Sequence, residues 1–195
     1  MPLVRAFIAL EIPPPIRSAI AECTAGLRNT VDTSLVRWVP SENLHLTLKF
    51  LGDVSSTTIP FITQMLTAEA GQCPAFELQI GTLGCFPTSK RPRVIWVGIR
   101  APAVLEALQR GIESAADRLG YASEARPFSL HLTIGRVRSN LPAADLQRIH
   151  AALESHPLGM LGSAEIDAVH LIKSELRPAG SVYTRLFSAP LNRKK

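Results

Sequence analysis

The sequence lacks several features that would assign it to particular classes of protein. Its three cysteines, Cys23, Cys73 and Cys85, form no CxxC pair and leave an odd count, which argues against a disulfide framework. No run approaches the ~18 apolar residues of a membrane span, and the first residues lack the long apolar stretch of a secretory signal. We therefore expect a protein of the reducing cytoplasm that does not associate with membranes.

Acidic residues are outnumbered by basic ones. The 195 residues include 21 Lys and Arg against 16 Asp and Glu, so the net charge is +5. Such a surface attracts phosphates and other anions, although charge alone does not identify a nucleic-acid-binding protein. Hydrophobic residues make up 46% and charged residues 19%, which is typical of a soluble globular protein rather than a disordered one.

The hydrophobic periodicity predicts strands and helices in alternation, with no long or polar linker between them. Strands are predicted at 5–11, 45–51, 76–83, 93–99, 131–137, 164–173 and 181–187, and helices at 16–27, 55–70, 102–119 and 142–153. Gly52 and Asp53 should end the second strand, Ser55 or Ser56 should cap the next helix, and 86–92 should form a loop. Residues 1–195 are expected to form a single domain, and a monomer, with 193–195 as a solvated tail.

One short pattern occurs twice. LHLTLKFLGDV at 44–54 aligns with LHLTIGRV at 130–137, so that His45 and His131 occupy equivalent positions. Two halves that each carry the same strand predict an α+β fold of two pseudo-symmetric lobes. Antiparallel sheets would face each other across a central cleft, with the helices outside.

Strand alternation sorts the residues of the first copy into two faces. Side chains in a strand point alternately to opposite sides, so His45, Thr47 and Lys49 should share one face. Phe50 falls on the opposite, aliphatic face, where a core position is favoured over a base-stacking one. Trp38, in a more polar segment, stays open as a stacking platform.

The second copy has the same alternation but a different end. His131 and Thr133 should share a face, whereas strict alternation turns Arg136 to the other side. Gly135, directly before the arginine, could host a bulge that swings Arg136 back.

A pair of facing His/Thr rows suits phosphodiester chemistry. Histidine titrates near neutrality, so one imidazole can take a proton from the nucleophile while the other gives one to the leaving oxygen. The hydroxyls of Thr47 and Thr133 can donate to phosphate oxygens, and Lys49 could add a cation. This scheme needs no metal, and no HxH or HExxH motif supplies further ligands for one.

The sequence resembles the 2H phosphoesterase superfamily at these residues, and within it the RNA 2′,3′-cyclic phosphodiesterases, also called 2′-5′ RNA ligases. The resemblance covers nearly the whole chain, in the segments RAFIALEIP, RWVPSENLHLTLKFLGDV, FP…RPRVIWVGI, RPFSLHLTIGRV and SVYTRL. It implies a two-lobed fold and hydrolysis of a terminal 2′,3′-cyclic phosphate on RNA to a 2′-phosphomonoester without a cofactor. Reversible 2′-5′ joining is the corresponding step with a 5′-hydroxyl in place of water.

The resemblance also assigns roles to individual residues. It implies that His45 donates a proton to the departing 3′ oxygen, that His131 activates water, and that Arg136 contacts the phosphate. The sequence itself does not distinguish acid from base in a near-symmetric site.

Two other functions stay open at this point. One is a related 2H phosphodiesterase that acts on a small cyclic or 2′-5′-linked nucleotide, and the other is an RNA-binding module without catalysis. The remaining histidines lie outside the pattern: His150 and His156 are expected at the surface, and His170 has Ile172 where the motif has threonine.

Overall fold

The computed structural model describes residues 3–125, 127–178 and 180–192. Strands and helices are interleaved along these residues rather than strictly alternating, because some successive strands have no helix between them. The strands are β1 Leu3–Glu11, β2 Val36–Trp38, β3 His45–Ser55, β4 Phe76–Thr88, β5 Arg91–Arg100, β6 His131–Val137, β7 Met160–Ile166, β8 Ala168–Arg177 and β9 Gly180–Pro190. The helices are α1 Pro14–Cys23, α2 Ala25–Thr30, α3 Ile59–Gln72, α4 Ala103–Arg118 and α5 Ala143–Ser155, with a 3₁₀ turn at Ser41–Asn43.

The strands form two antiparallel sheets. The first has the order β3-β1-β8-β9 and the second the order β2-β6-β5-β4-β7. Each motif strand pairs with a long strand of its own lobe, β3 with β1 and β6 with β5. The four strands of the first sheet therefore correspond to β6-β5-β4-β7, and β2 extends only the second sheet. This arrangement confirms the predicted α+β fold of two pseudo-symmetric lobes.

The helices bury one apolar face against the strands. In α4 the buried side chains recur at helical spacing, at Leu105, Leu108 and Ile112, which explains why the segment is a helix and which face it buries. Helix α4 also packs on α3 and β3. The main hydrophobic core draws side chains from both sheets and from α1 to α5, and a smaller cluster of Phe7, Ala9 and Ile172 lies apart from it. Among the described residues, no helix is long and apolar enough to cross a membrane.

The ends of β3 and the start of α3 differ from the prediction. The strand does not end at Gly52 and Asp53 but continues to Ser55, which pairs with Leu3 of β1. Gly52 adopts a φ of 69° inside the strand, a conformation that glycine accepts without strain. Because the ladder uses Ser55, the helix begins later, at Ile59, and neither Ser55 nor Ser56 is its N-cap.

Three further boundaries depend on tertiary pairing. The predicted loop at 86–92 is largely hairpin, because β4 and β5 pair as far as Thr88 and Arg91. The strand predicted at 164–173 is two strands in different sheets, separated at Asp167. The helix predicted at 16–27 breaks at Thr24, whose hydroxyl donates to the carbonyl of Ile20, a contact that bends helices.

Candidate active site

A cleft of about 960 Å³ lies between the two sheets. His45 and Thr47 reach it from β3, and His131 and Thr133 reach it from β6. The structure therefore brings together the four residues of the duplicated motif, although they are far apart in the chain.

Both histidine rings are held by the same backbone contact. Nδ1 of His45 lies 2.7 Å from the carbonyl oxygen of Asn43, and Nδ1 of His131 lies 2.9 Å from that of Ser129. A carbonyl oxygen can only accept, so each Nδ1 carries the hydrogen. Each Nε2 is then the nitrogen available for proton transfer, and the two imidazoles are fixed in the same tautomer.

Aromatic rings surround both histidines. The ring centroid of His45 lies 4.7 Å from that of Phe7 and 5.2 Å from that of Tyr183. In the other lobe, His131 lies 5.1 Å from Phe86, in an edge-on arrangement, with Trp96 beyond it.

Burial among these rings lowers the pKa of both His45 and His131, because desolvation penalises the imidazolium. The carbonyls of Asn43 and Ser129 act in the opposite direction on these pKa values. The positive charge of Arg136 lowers the pKa of both histidines. The cation therefore acts on the two rings at once.

A β-bulge interrupts the alternation of β3 just after the motif threonine. Thr47 pairs with Ala9 of β1, but Ile8 pairs with Lys49, so Leu48 is an extra residue. Such an insertion reverses which face the following side chains occupy. The alternation used to place Lys49 beside His45 therefore fails at this point.

Lys49 borders the cleft, but its ammonium is held in a buried ion pair. It is only 1% exposed, and its Nζ lies 2.5 Å from Oε1 of Glu113 and 2.5 Å from the carbonyl oxygen of Ala122. The predicted contact of Lys49 with substrate would compete with this pair, because its ammonium is buried and already paired across the β3–α4 contact.

Phe50 lies on the opposite face of β3 from the one predicted for it. The prediction that it belongs to the core is wrong, since the side chain is 56% exposed and lines the cleft beside Phe7. Trp38 packs partly buried against the core, with the guanidinium of Arg28 5.3 Å from its ring. It does not line the cleft, so Phe50 is the better placed aromatic of the two for contacting a bound base.

The same bulge occurs at the equivalent point of β6. Thr133 pairs with Trp96 of β5, but Ile95 pairs with Gly135, so Ile134 is the extra residue. A Cβ on Gly135 would lie 2.8 Å from the side chain of Val36 in β2. Glycine therefore permits the close approach of β2 to the bulge.

The second bulge turns Arg136 into the cleft. The residue is exposed and lines the cavity with the two histidines. Strict alternation is wrong for it, and the bulge that Gly135 could host is present. Arg136 occupies the position in β6 that Phe50 occupies in β3, five residues after the motif histidine.

The other histidines lie outside the cleft. His150 and His156 are half-buried rather than fully at the surface, and His156 Nδ1 lies 2.8 Å from the carbonyl oxygen of Ala152. His170 is buried, and its Nδ1 lies 2.8 Å from the hydroxyl of Ser188. Over the described ranges, no three His, Cys, Asp or Glu side chains form a group that could hold a metal ion.

The sequence interpretation missed the groups that hold the histidines in place. Asn43 and Ser129 each stand two residues before a motif histidine, so the repeat extends to a polar residue, a leucine and then the motif. The contacts come from backbone carbonyls, which every residue has, so the side chains of Asn43 and Ser129 give no signal for them. Alternation along β1 places Phe7 on the same face as Arg5, but only the structure shows that this face borders the cleft.

Comparison with known families assigns the chain. A sequence model of the 2′-5′ RNA ligase superfamily matches residues 12–177. This protein belongs to that superfamily. The resemblance found in the sequence is thereby confirmed.

Curated members of the superfamily are similar along nearly their whole length. The RNA 2′,3′-cyclic phosphodiesterase of Methanothermobacter thermautotrophicus is 32% identical, over 93% of this chain and 95% of its own. The enzyme of the same name from Archaeoglobus fulgidus is also 32% identical, over 94% of this chain and 98% of its own.

Solved structures agree with the two-lobed fold. The protein TT0787 of Thermus thermophilus superimposes with a TM-score of 0.80 at 26% identity, over 98% of this chain and 100% of the other. Escherichia coli LigT complexed with 3′-AMP gives a TM-score of 0.77 at 27% identity, with the same coverage.

Proposed function

We propose that this protein hydrolyses the 2′,3′-cyclic phosphate at an RNA end to a 2′-phosphomonoester, with its two motif histidines as acid and base. The observation that carries the proposal is the pair of histidines in one cleft, each with Nδ1 held by a backbone carbonyl. The names of the related archaeal enzymes support the choice of substrate.

The proposed reaction uses the two imidazoles on opposite sides of the phosphorus. Nε2 of His131 takes a proton from water, and the resulting nucleophile attacks the phosphorus. The bond to the 3′ oxygen breaks, and protonated His45 gives its proton to that oxygen. Each such proton transfer typically contributes 10²–10⁴-fold to the rate.

The other cleft residues stabilise the negative charge that develops on the phosphate. The hydroxyls of Thr47 and Thr133 donate to the non-bridging oxygens, and Arg136 supplies a positive charge beside them. Phe50 offers an exposed ring on which a base can stack.

The proposal includes no metal and no cofactor, since every proton and charge in the scheme has a side chain assigned to it. A 5′-hydroxyl that replaced water would be joined in a 2′-5′ linkage by the same two proton transfers. We expect the protein to act as a monomer in the cytoplasm.

The test is turnover of a short oligonucleotide ending in a 2′,3′-cyclic phosphate, compared with a cyclic mononucleotide and a 2′-5′-linked dinucleotide. The expected result is faster turnover of the oligonucleotide that a chelator leaves unchanged. Faster turnover of the small nucleotides would move the assignment to another 2H activity. Tight RNA binding without turnover of any substrate would overturn catalysis, and loss of activity with chelator would overturn the metal-free scheme.

A further inference from the structure

The two histidines differ in the residue that faces each of them from the neighbouring strand. His45 pairs with Glu11 of β1, whereas His131 pairs with Gly98 of β5. Directly opposed residues of an antiparallel pair project from the same face, with Cβ atoms roughly 5 Å apart. One motif histidine therefore has a carboxylate as its cross-strand neighbour and the other has no side chain there.

The carboxylate of Glu11 is held in place from β9, which lies two strands away from β1 in the same sheet. Nε of Arg185, in β9, donates to Oε1 of Glu11 at 3.0 Å, and Nη2 of Arg185 donates to Oε2. A two-point contact with guanidinium fixes the plane of a carboxylate as well as its position. Glu11 is therefore an oriented charge beside His45.

The charged and titratable groups around His45 and its neighbour Glu11 come from four strands. Glu11 from β1, Arg136 from β6 and Tyr183 from β9 act on or contact His45 itself. Arg185 from β9 and His170 from β8 act on Glu11 instead. Burial has the largest effect and lowers the pKa of His45, and Arg136 lowers it further. Glu11 raises the pKa of His45 and is not among the groups that shift the pKa of His131.

We propose that Glu11 is a positioning residue that selects His45, rather than His131, as the proton donor of the reaction. The inference rests on the proposed function and deepens it, because the duplicated motif alone leaves the two roles interchangeable. A carboxylate next to one imidazole favours its protonated form, which a general acid requires. The bare position opposite His131 leaves that ring neutral, as a general base requires.

The test combines histidine NMR titration with a pH–rate profile, on the full chain and three variants. In Glu11→Gln the pKa of His45 should fall while that of His131 stays where it was. In Glu11→Asp, which keeps the charge, the pKa of His45 should stay near that of the parent. In Arg185→Met, which removes the cation beside Glu11, the pKa of His45 should rise. If Glu11 and Arg185 had only a structural role, Glu11→Gln and Arg185→Met would not be expected to shift the pKa of His45 in opposite directions.

The pH–rate profile shows whether His45 is the acid of the reaction. The acid must be protonated, so a lower His45 pKa in Glu11→Gln should move the alkaline limb to lower pH, with roughly threefold lower kcat/KM there. The acid limb should not move. An unchanged His45 titration, or a shift of the acid limb instead, would overturn the inference while leaving the proposed function standing. Absence of turnover in the parent would instead overturn the proposed function, and the NMR arm would still report whether Glu11 acts on His45.

Discussion

The two motif strands share one geometry but are supported by different parts of the molecule. The bulge of β3 is held by side chains of α4, because Gln109 donates to the carbonyl oxygen of Leu48 at 3.3 Å and Glu113 pairs with Lys49. The bulge of β6 is held by backbone, because the N–H of Val39 donates to the carbonyl oxygen of Ile134 at 2.9 Å. The same local shape has therefore been reached with an ion pair in one lobe and a short extra strand in the other.

The lobes also diverge at the side chain that each bulge turns into the cleft. That position carries Phe50 in the first lobe and Arg136 in the second. The histidines, the threonines and the Nδ1 contacts are kept in both lobes, while the flanking position differs. We infer that the duplicated features serve the chemistry, and that the unmatched ones serve the base on one side and the phosphate on the other.

The largest effect is expected for the motif histidines, which the two lobes share. His45→Ala and His131→Ala should each reduce kcat/KM on a cyclic-phosphate oligonucleotide by about 10²–10⁴-fold, because each removes one proton transfer. The double variant should lose little more than the worse single one, since the two groups act as a unit. The matched control is His150→Ala, outside the cleft, which should keep full activity. A single variant that keeps full activity would show that its lobe supplies no proton transfer.

The support of the β3 bulge should show in stability. Glu113→Gln leaves the Lys49 ammonium buried without its carboxylate, and we expect a loss of about 3 kcal/mol in the free energy of unfolding, measured with urea. Glu106→Gln, which breaks the exposed pair with Arg110 on the same helix, should cost less than about 0.5 kcal/mol. Equal losses of stability in the two variants would contradict the larger contribution assigned to the buried pair.

Arg136, which stands where the first lobe has Phe50, should act mainly on the chemical step. Arg136→Gln should lower kcat by about 10²-fold, because a fixed positive charge beside the transferring phosphoryl group is lost. Arg138→Gln is a control two residues along, since that side chain is bonded to the carbonyl of Thr33. An unchanged kcat in Arg136→Gln would remove Arg136 from the site.

Phe50, which stands where the second lobe has Arg136, should act mainly on the binding of the oligonucleotide. Phe50→Ala should raise KM roughly tenfold for an oligonucleotide, the effect of losing one stacked base, with little change in kcat. Phe61→Ala, which removes an exposed ring on α3, serves as the control. A lower kcat at constant KM would argue against stacking at Phe50.

The smallest expected effect is on the pH optimum. Burial lowers the pKa of both histidines, so His131 stays neutral, and competent as a base, to lower pH than an ordinary imidazole. His45 likewise loses its proton at lower pH than usual. The bell-shaped profile of kcat/KM should therefore be displaced to the acid side of that for two unperturbed imidazoles. An alkaline displacement would contradict the buried setting of the rings.

Much of this site follows from the sequence because its main signals are local. The duplicated motif predicts two lobes, and alternation predicts that His45 and Thr47 share a face, as do His131 and Thr133. Lys49, Phe50 and Arg136 lie beyond the bulges, and a bulge depends on pairing with another strand. Only Gly135 marked such a site in advance, whereas Leu48 carries no comparable local signal.

The boundaries that were predicted wrongly have the same origin. The end of β3 at Ser55 and the separation of β7 from β8 at Asp167 are set by which strands pair. Glu11 likewise looks like an ordinary strand end in the sequence. Its place beside His45 depends on the β1–β3 register, which one sequence does not contain.

The identity of the product tests the central claim most directly. The chain is incubated with a 2′,3′-cyclic-phosphate oligonucleotide in ¹⁸O-labelled water, and the isomer and label of the product are determined. The account predicts a 2′-phosphomonoester with one ¹⁸O in the phosphate, because water attacks phosphorus while the 3′ oxygen leaves. A 3′-phosphate would contradict the assigned leaving oxygen, and a product without label would contradict hydrolysis at phosphorus.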